Sequence, residues 1–199
     1  MPNLSNQRTN LPDPITEAVC LLADRLPAEP ITWCVGGSVA RWLRGFHVTP
    51  KDIDLDTGAD HLDDITARLR EYELSPPAIT DPERFPSKLG VYQIGGVRIE
   101  LIVDCQIRAG ELHYLLEFAR CRDRITLFPF RGRAIPVLPL EESLLANIVM
   151  DRWARLDQIT ADPAFHTNFD PDYFRRRAAQ LHLPPPTTQR FLDLTRRAD

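Results

Sequence analysis

Three aspartates alternate with apolar residues in the segment Asp52-Ile53-Asp54-Leu55-Asp56. Successive side chains of a β-strand point to opposite faces, so a strand here would carry the three carboxylates on one face and Ile53 and Leu55 on the other. Crowded carboxylates raise one another's pKa unless a positive charge neutralises them, and a hard divalent cation with oxygen ligands is a natural partner. The pattern therefore predicts a metal-binding face whose reverse side is anchored in a core.

A second motif, Gly36-Gly37-Ser38, lies between the apolar run Ile31–Val35 and the short amphipathic segment Val39–Arg44. A glycine turn between a strand and a helix exposes backbone N–H groups at the helix N-terminus, which is an anion site. Glycine lets a phosphate approach the backbone closely, and the Ser38 hydroxyl adds a donor. Together, the glycine turn and the aspartates are typical of a site for a nucleotide with Mg²⁺.

Periodicity and turn residues predict the elements that must position these motifs. Helices are predicted at Asp13–Leu26, Val39–Arg44, Asp60–Tyr72, Glu111–Arg120, Pro139–Leu156 and Asp172–Leu181. Strands are predicted at Ile31–Val35, Asp52–Asp56, Lys88–Ile94, Val97–Asp104, Ile125–Phe128 and Ala134–Leu138. Gly95-Gly96 is expected to turn a hairpin, Pro76–Pro86 to form a loop, and the Arg-rich C-terminus to follow as a short tail. This order predicts a mixed α/β sheet covered by helices and followed by a helical C-terminal part.

Composition limits the class of protein. The chain has 199 residues, of which 43% are hydrophobic, and its 24 Lys and Arg against 28 Asp and Glu give a net charge of −4. This balance argues against a general nucleic-acid coat. The four cysteines form no CxxC pair, which makes a zinc ribbon improbable. The first ten residues are polar and no apolar run reaches the ~18 residues of a membrane span, so we expect a cytoplasmic protein with no membrane contact.

The two motifs resemble a known signature. Val35-Gly-Gly-Ser-Val-Ala-Arg41 and Lys51-Asp-Ile-Asp-Leu55 are similar to the DNA polymerase beta-like nucleotidyltransferase superfamily, in which a glycine-serine or glycine-glycine turn precedes an Asp-x-Asp or Asp-x-Glu pair. The same two segments are also similar to the head domain of tRNA CCA-adding enzymes and to small aminoglycoside nucleotidyltransferases. The resemblance implies the nucleotidyltransferase fold, with a flexible N-terminus over 1–12, a catalytic domain over 13–140 and a helical region over 141–199.

The resemblance also implies roles for the acids. Asp52 and Asp54 would hold the metal ions, and a third carboxylate on a later strand would join them and help to deprotonate the attacking hydroxyl. The strand Val97–Asp104 offers Glu100, which is flanked by apolar residues and is preferred, and Asp104, which shares its face and remains the alternative. Asp56 is expected at the surface or behind the metal ligands.

By the same resemblance, Gly36, Gly37, Ser38 and Arg41 would bind the nucleotide. The implied activity is a transfer of a nucleoside monophosphate from an NTP such as ATP, with two Mg²⁺ ions and release of pyrophosphate. The acceptor is a hydroxyl, either of a small molecule or of an RNA 3′ end such as that of tRNA. The rival hypothesis is a non-catalytic nucleotide-binding or interaction module on the same fold.

Overall fold

The computed structural model describes residues 11–196, which form a mixed sheet covered by helices on both faces. The strands are β1 Trp33–Val35, β2 Ile53–Thr57, β3 Glu73–Asp81, β4 Phe85–Ile94, β5 Val97–Val103, β6 Gln106–Ala109, β7 Leu112–Leu115, β8 Thr126–Phe130 and β9 Arg133–Val137. The α-helices are α1 Asp13–Arg25, α2 Gly37–Leu43, α3 Leu62–Leu69, α4 Phe118–Cys121, α5 Leu140–Val149, α6 Trp153–Thr160, α7 Phe165–Asn168, α8 Pro171–Gln180 and α9 Pro185–Thr195. Of the flexible N-terminus expected over 1–12, residues 1–10 lie outside this description, and Leu11 is buried in the core.

Seven strands form the main sheet, in the order β3-β4-β5-β2-β1-β9-β8, and β6 and β7 form a separate hairpin. The pairs β2–β5 and β1–β9 are parallel, while the other neighbours are antiparallel. This is the mixed sheet that the element order predicts. In the part of the chain that the structure describes, no helix is long and apolar enough to cross a membrane.

Each face of the sheet has its own hydrophobic core. Ile53 and Leu55 of β2 are fully buried in the first core, which also contains apolar side chains of α1 and α3. The second core lies on the other face and is built largely from α5 to α9 and the β6–β7 hairpin. Because strand side chains alternate, Asp54 and Asp56 face the second core. The apolar half of the alternating motif therefore fixes β2, and the acidic half faces the C-terminal helices.

The prediction that the proline-rich segment Pro76–Pro86 forms a loop is wrong. Residues Glu73–Asp81 form β3, which is the outermost strand beside β4. An outer strand leaves one row of backbone groups unpaired, so it can contain proline without losing a ladder hydrogen bond. The irregular register between β3 and β4 accommodates Pro76 and Pro77.

The predicted helix over Glu111–Arg120 is also wrong. Residues Gln106–Leu115 form the β6–β7 hairpin, which turns at Gly110 with a φ of 59°, and α4 covers only Phe118–Cys121. Leucines at 112, 115 and 116 fit a helical period, but the buried residues of this stretch are Tyr114, Leu116 and Phe118. Their spacing of two is the period of a strand.

The long helix predicted over Pro139–Leu156 is interrupted. Helix α5 ends at Val149 and α6 begins at Trp153, and between them Asp151 has a φ of 56°. The amide of Arg152 donates to the carbonyl of Asn147 at 2.9 Å and closes the turn. This break changes the direction of the chain and brings Arg152 and Arg155 to the acidic face of the sheet.

The C-terminal tail forms a further helix that the sequence reading missed. Pro184-Pro185-Pro186 starts α9, in which Phe191 and Leu192 are buried. Proline at the first helical position loses no hydrogen bond, so the proline run begins the helix instead of preventing it. Arg197, which belonged to the predicted tail, lies outside the described residues.

Candidate active site

Asp54 and Glu100 lie side by side on neighbouring parallel strands, because β2 and β5 pair with Asp54 opposite Glu100. Paired strands are about 4.8 Å apart, so the two carboxylates share one patch of the sheet. Both contribute to the wall of a cavity of about 380 Å³ between the sheet, the β6–β7 hairpin and α5. Asp52 precedes β2 by one residue and is exposed, although the strand was predicted to begin there.

The electrostatics of the cavity centre on Asp54. Burial, followed by the negative charges of Asp52 and Glu100, raises the pKa of Asp54 to about 6, while Arg41 and Arg155 act to lower it. The structure therefore places Asp52 and Glu100 within electrostatic reach of Asp54. Among the described residues, the Asp54 side chain has no hydrogen bond or ion pair, so its charge is left for a ligand.

The glycine turn contacts this acid directly. Gly37 has a φ of 52°, a conformation that favours glycine, and a Cβ built at this position would overlap Oδ2 of Asp54. Gly37 also lines the cavity together with Arg41. The structure thus brings the two sequence motifs together at one point, with the N-terminus of α2 beside the carboxylate.

Gly36 and Ser38, which were also predicted to bind the nucleotide, flank Gly37 but do not line this cavity. The amide of Gly36 donates to the carbonyl of Asp54 at 2.9 Å, so it belongs to the sheet and is not a free donor. A Cβ at Gly36 would lie 2.7 Å from Oδ2 of Asp56. The Oγ of Ser38 is enclosed, has no hydrogen-bond partner among the described residues and lies outside the cavity wall.

Three arginines face the acids across the cavity. Arg41 of α2 is buried, and burial and the neighbouring Arg155 lower its pKa. Arg152 and Arg155 line the cavity from the α5–α6 break, and burial and Arg155 lower the pKa of Arg152. In the described part of the chain none of the three forms an ion pair. Sequence reasoning missed Arg152 and Arg155 because a continuous helix was predicted through their position.

Asp56 also lines the cavity and is not at the surface, which was one of its two expected positions; the position behind the proposed metal ligands stays a prediction. Its side chain is only 5% exposed, and burial, followed by the charges of Asp54 and Glu142, raises its pKa to about 8. The register of β2 opposite the apolar Ile102 explains the burial. Asp56 thus lies next to Asp54 on the same face of β2, as the alternation predicted.

Asp104, the alternative third acid, has a structural role, because its carboxylate accepts hydrogen bonds from two backbone amides. It lies just beyond the end of β5 with a φ of 42°. One carboxylate oxygen accepts from the amide of Ala59 at 3.0 Å, and the other from the amide of Phe118 at 3.1 Å. Both oxygens therefore hold loops together, which leaves Glu100 as the acid on β5 that faces Asp54.

Glu142 of α5 forms the back wall of the cavity, and its charge is fully occupied. Tyr173 and Tyr114 donate their hydroxyls to its two oxygens at 2.6 and 3.1 Å, and Arg177 donates to both oxygens at 2.7 and 3.1 Å. Burial and the Glu142 charge raise the pKa of Tyr114. This cluster ties α8 to the cavity wall. The Arg177 side chain is 13% exposed.

The donor set of the acidic patch fits magnesium. Carboxylate oxygens are the ligands that Mg²⁺ prefers, and the uncompensated charge of Asp54 favours a cation. As arranged, however, no three His, Cys, Asp or Glu side chains within residues 11–196 are grouped closely enough to hold an ion. Glu100 instead pairs with Arg98 at 2.8 Å. Arg98 is 53% exposed, and such a surface pair contributes about 0–1 kcal/mol, so a metal ion can displace it.

Comparison with solved structures identifies the fold. A candidate nucleotidyltransferase from Thermotoga maritima superposes with a TM-score of 0.63 over 73% of this chain and 90% of its own, at 23% identity. This likeness confirms the nucleotidyltransferase fold that the two motifs predicted. The structure of ANT(2″)-Ia in complex with adenylyl-2″-tobramycin also matches, with a TM-score of 0.42 and 15% identity over 92% of this chain and 95% of the other. No family model matches the chain, and no curated protein does.

Proposed function

We propose that this protein is a magnesium-dependent nucleotidyltransferase that transfers a nucleoside monophosphate from an NTP to a hydroxyl and releases pyrophosphate. One observation carries the proposal: Asp54 has Glu100 opposite it on a parallel strand and Gly37 against its carboxylate, and all three line one cavity. A buried carboxylate without an internal partner lowers stability, so its retention in such a cavity favours a ligand-binding role.

In this proposal the acidic residues bind the metal ion and the basic residues bind the triphosphate. Asp54 and Glu100, with Asp52 at the rim, would hold the magnesium, whose charge when bound stabilises the phosphoryl oxygens and acidifies the attacking hydroxyl. Arg41, Arg152 and Arg155 would bind and orient the triphosphate. Within residues 11–196 none of these arginines forms an ion pair, so the phosphates do not have to compete with an internal salt bridge.

The acceptor remains a choice between a small-molecule hydroxyl and an RNA 3′ end. The cavity has an apolar side, formed by residues such as Phe85, Ile102, Ile107 and Leu138. Such a surface suits a base or the body of a compact acceptor. A chain-terminal nucleotide and a free metabolite both offer a hydroxyl to this space.

The rival proposal, a nucleotide-binding module without turnover, has its own support. Glu100 is held by Arg98, and the acids are not gathered into a metal site as arranged. A module of this kind would bind NTPs with no dependence on Mg²⁺, whereas the enzyme would need the ion for tight binding and for transfer.

The two functions are separated by labelling. The protein is incubated with each α-³²P-labelled NTP and Mg²⁺, in parallel with total tRNA, with a panel of aminoglycosides and with a mixture of cellular small metabolites. The proposal expects transfer of label to one acceptor pool, dependent on Mg²⁺, with pyrophosphate formed in equal amount. Metal-independent NTP binding by calorimetry, without label transfer in any pool, would establish the module instead.

A further inference from the structure

Two segments from distant parts of the chain form the opening of the cavity. The β3–β4 hairpin contributes Thr80 and Phe85, and the segment that follows the α5–α6 break contributes Arg152 and Arg155. Thr80 and both arginines are exposed although they line the cavity, so they mark where it meets solvent. The guanidinium of Arg84, also exposed, lies over the Phe85 ring at 5.5 Å from its centroid. These five residues define the mouth of the cavity.

The arginine side chains of the mouth are unpaired. In the part of the chain that the structure describes, Arg84, Arg152 and Arg155 form no side-chain hydrogen bond and no ion pair. Two acids lie close to Arg84 in sequence, but Asp81 accepts from its backbone amide at 2.9 Å, and Glu83 is exposed. The charge of the Arg84 guanidinium is therefore available to a ligand.

The positive charges of the mouth lie close enough to act on one another. Burial lowers the pKa of Arg152 most, the charges of Arg155 and Arg84 lower it as well, and Asp54 opposes them. Like charges at one opening repel each other, and a bound anion relieves the repulsion. Phosphate matches the planar fork of an arginine, which offers it two parallel hydrogen bonds. Because the whole chain has a net charge of −4, this positive region is a local feature of the mouth.

The size of the cavity indicates which substrate brings this anion. Its volume of about 380 Å³ is close to the lower end of the about 300–1,000 Å³ that sites for one small ligand occupy. In the proposed function a nucleoside triphosphate takes this space, with its phosphates on Arg41, Arg152 and Arg155. The acceptor can then insert only the end that carries its hydroxyl, and the rest of it lies against the mouth. Arg84 is in the mouth but outside the cavity wall, so it faces this outer part of the acceptor.

We propose that the acceptor carries a phosphate near its reacting hydroxyl and that Arg84 binds this phosphate at the mouth of the cavity. The inference rests on the proposed function, because it needs a nucleotide in the cavity and an acceptor outside it. The phosphodiester of an RNA 3′ end and the phosphate of a small phosphorylated metabolite offer the same group to Arg84. Polycationic acceptors such as aminoglycosides are repelled by the same arginines.

Calorimetry on protein that is already loaded with nucleotide tests the assignment. Wild type is saturated with Mg²⁺ and a non-hydrolysable ATP analogue, and is then titrated with adenosine, adenosine 5′-monophosphate, tobramycin and total tRNA. The monophosphate or the tRNA should bind at least about tenfold more tightly than adenosine, which has the same ribose hydroxyls and no phosphate. Tobramycin should not bind. Binding of tRNA without the monophosphate identifies RNA as the source of the phosphate, and binding of the monophosphate identifies a small molecule.

Two arginine variants locate the contact. Arg84→Gln should weaken the phosphate-bearing ligand about tenfold and leave binding of the ATP analogue unchanged. This loss should shrink as salt is added, because a surface charge contact is screened. Arg70→Gln is the matched control, because it removes the same charge from an exposed position directly after α3, which packs on the other face of the sheet. It should change neither binding, and the melting temperature of each variant checks that the fold is intact.

Four results would overturn the proposal. Tighter binding of tobramycin than of either phosphate-bearing ligand would assign the mouth to a cationic acceptor. Equal binding of adenosine and its monophosphate, without binding of tRNA, would mean that phosphate is not recognised. Loaded protein that binds none of the four ligands would have no acceptor site at the mouth. Equal effects of Arg84→Gln and Arg70→Gln would place the contact elsewhere. Failure of wild type to bind the ATP analogue would instead count against the proposed function itself.

Discussion

Two sets of buried carboxylates lie in the same cavity wall, and they differ in whether other side chains hydrogen-bond to them and pair with them. Glu142 on the back wall receives hydrogen bonds from two tyrosines and a paired arginine. Asp54 and Asp56 on β2 have no hydrogen bond or ion pair from their side chains among the described residues, and the pKa of each is raised. The fold thus pairs one carboxylate with an arginine and leaves the other two carboxyl groups without a direct partner among the described residues.

The difference separates a structural acid from candidate functional ones. A buried charge that is paired and hydrogen-bonded holds its neighbours in place, and the Glu142 cluster connects α5, α8 and the β6–β7 hairpin. A buried charge without a partner only destabilises the free protein, unless a cation arrives. Substitutions on the two sides should therefore have opposite consequences for stability and activity.

The largest expected effect is on catalysis, from Asp54→Asn. Removing the charge takes away a ligand of the proposed magnesium, and metal stabilisation is worth several kcal/mol, so transfer should fall by about 10³-fold or more. Stability should be unchanged or higher, because an uncompensated carboxylate has been removed. Label transfer and urea denaturation measure the two effects. Full activity in this variant would remove Asp54 from the mechanism.

The next effect is on stability, from Glu142→Gln. The substitution leaves Arg177 buried without its counter-charge, which costs about 3–5 kcal/mol when one member of a buried pair is lost. Urea denaturation should show this loss, and the double variant Glu142→Gln/Arg177→Met should recover part of it. If the single variant is as stable as wild type, then the Glu142 cluster does not hold α8 to the cavity wall.

A smaller effect is the pH dependence of stability without metal. The pKa of Asp54 is raised to about 6 and that of Asp56 to about 8, both above the unfolded value of about 3.9. The folded state therefore binds more protons than the unfolded state between pH 4 and 8, so the two groups stabilise below pH 4 and lose this contribution as pH rises. The slope is roughly 1 kcal/mol per pH unit for each carboxyl.

Comparison with Asp56→Asn isolates this contribution from the other titrating groups. Denaturation in EDTA at intervals from pH 5 to 8 should show that wild type loses stability relative to the variant as pH rises. A constant difference between the two curves would mean that Asp56 is not held in a protonated form by its surroundings.

The acidic half of the site follows from local rules that a sequence displays. The alternation of Asp54 and Leu55 sets which side of β2 is buried in the first core, and the Gly95-Gly96 turn, with φ values of 57° and 83°, sets the β4–β5 hairpin. Once β2 and β5 are neighbours, Glu100 can meet Asp54. The roles assigned to these acids remain predictions for the experiments above.

The other half of the cavity depends on contacts between distant segments. Arg152 and Arg155 reach the cavity only because the helix breaks at Asp151, a residue without glycine's freedom at positive φ. Glu142 meets Arg177 across 35 residues, and no spacing rule links them. Such long-range pairing is set by the packing of α5 to α9 against the sheet, which a periodic pattern does not encode.

The most direct test of the uncompensated acids is a crystal soaked with Mn²⁺ and a non-hydrolysable ATP analogue. We predict an anomalous peak for a metal ion about 2.2 Å from carboxylate oxygens of Asp54 and Glu100. Glu100 should no longer pair with Arg98, and triphosphate oxygens should contact Arg41 and Arg155. A nucleotide bound outside this cavity, or a metal ion that leaves Asp54 uncontacted while Glu100 stays on Arg98, would contradict the account.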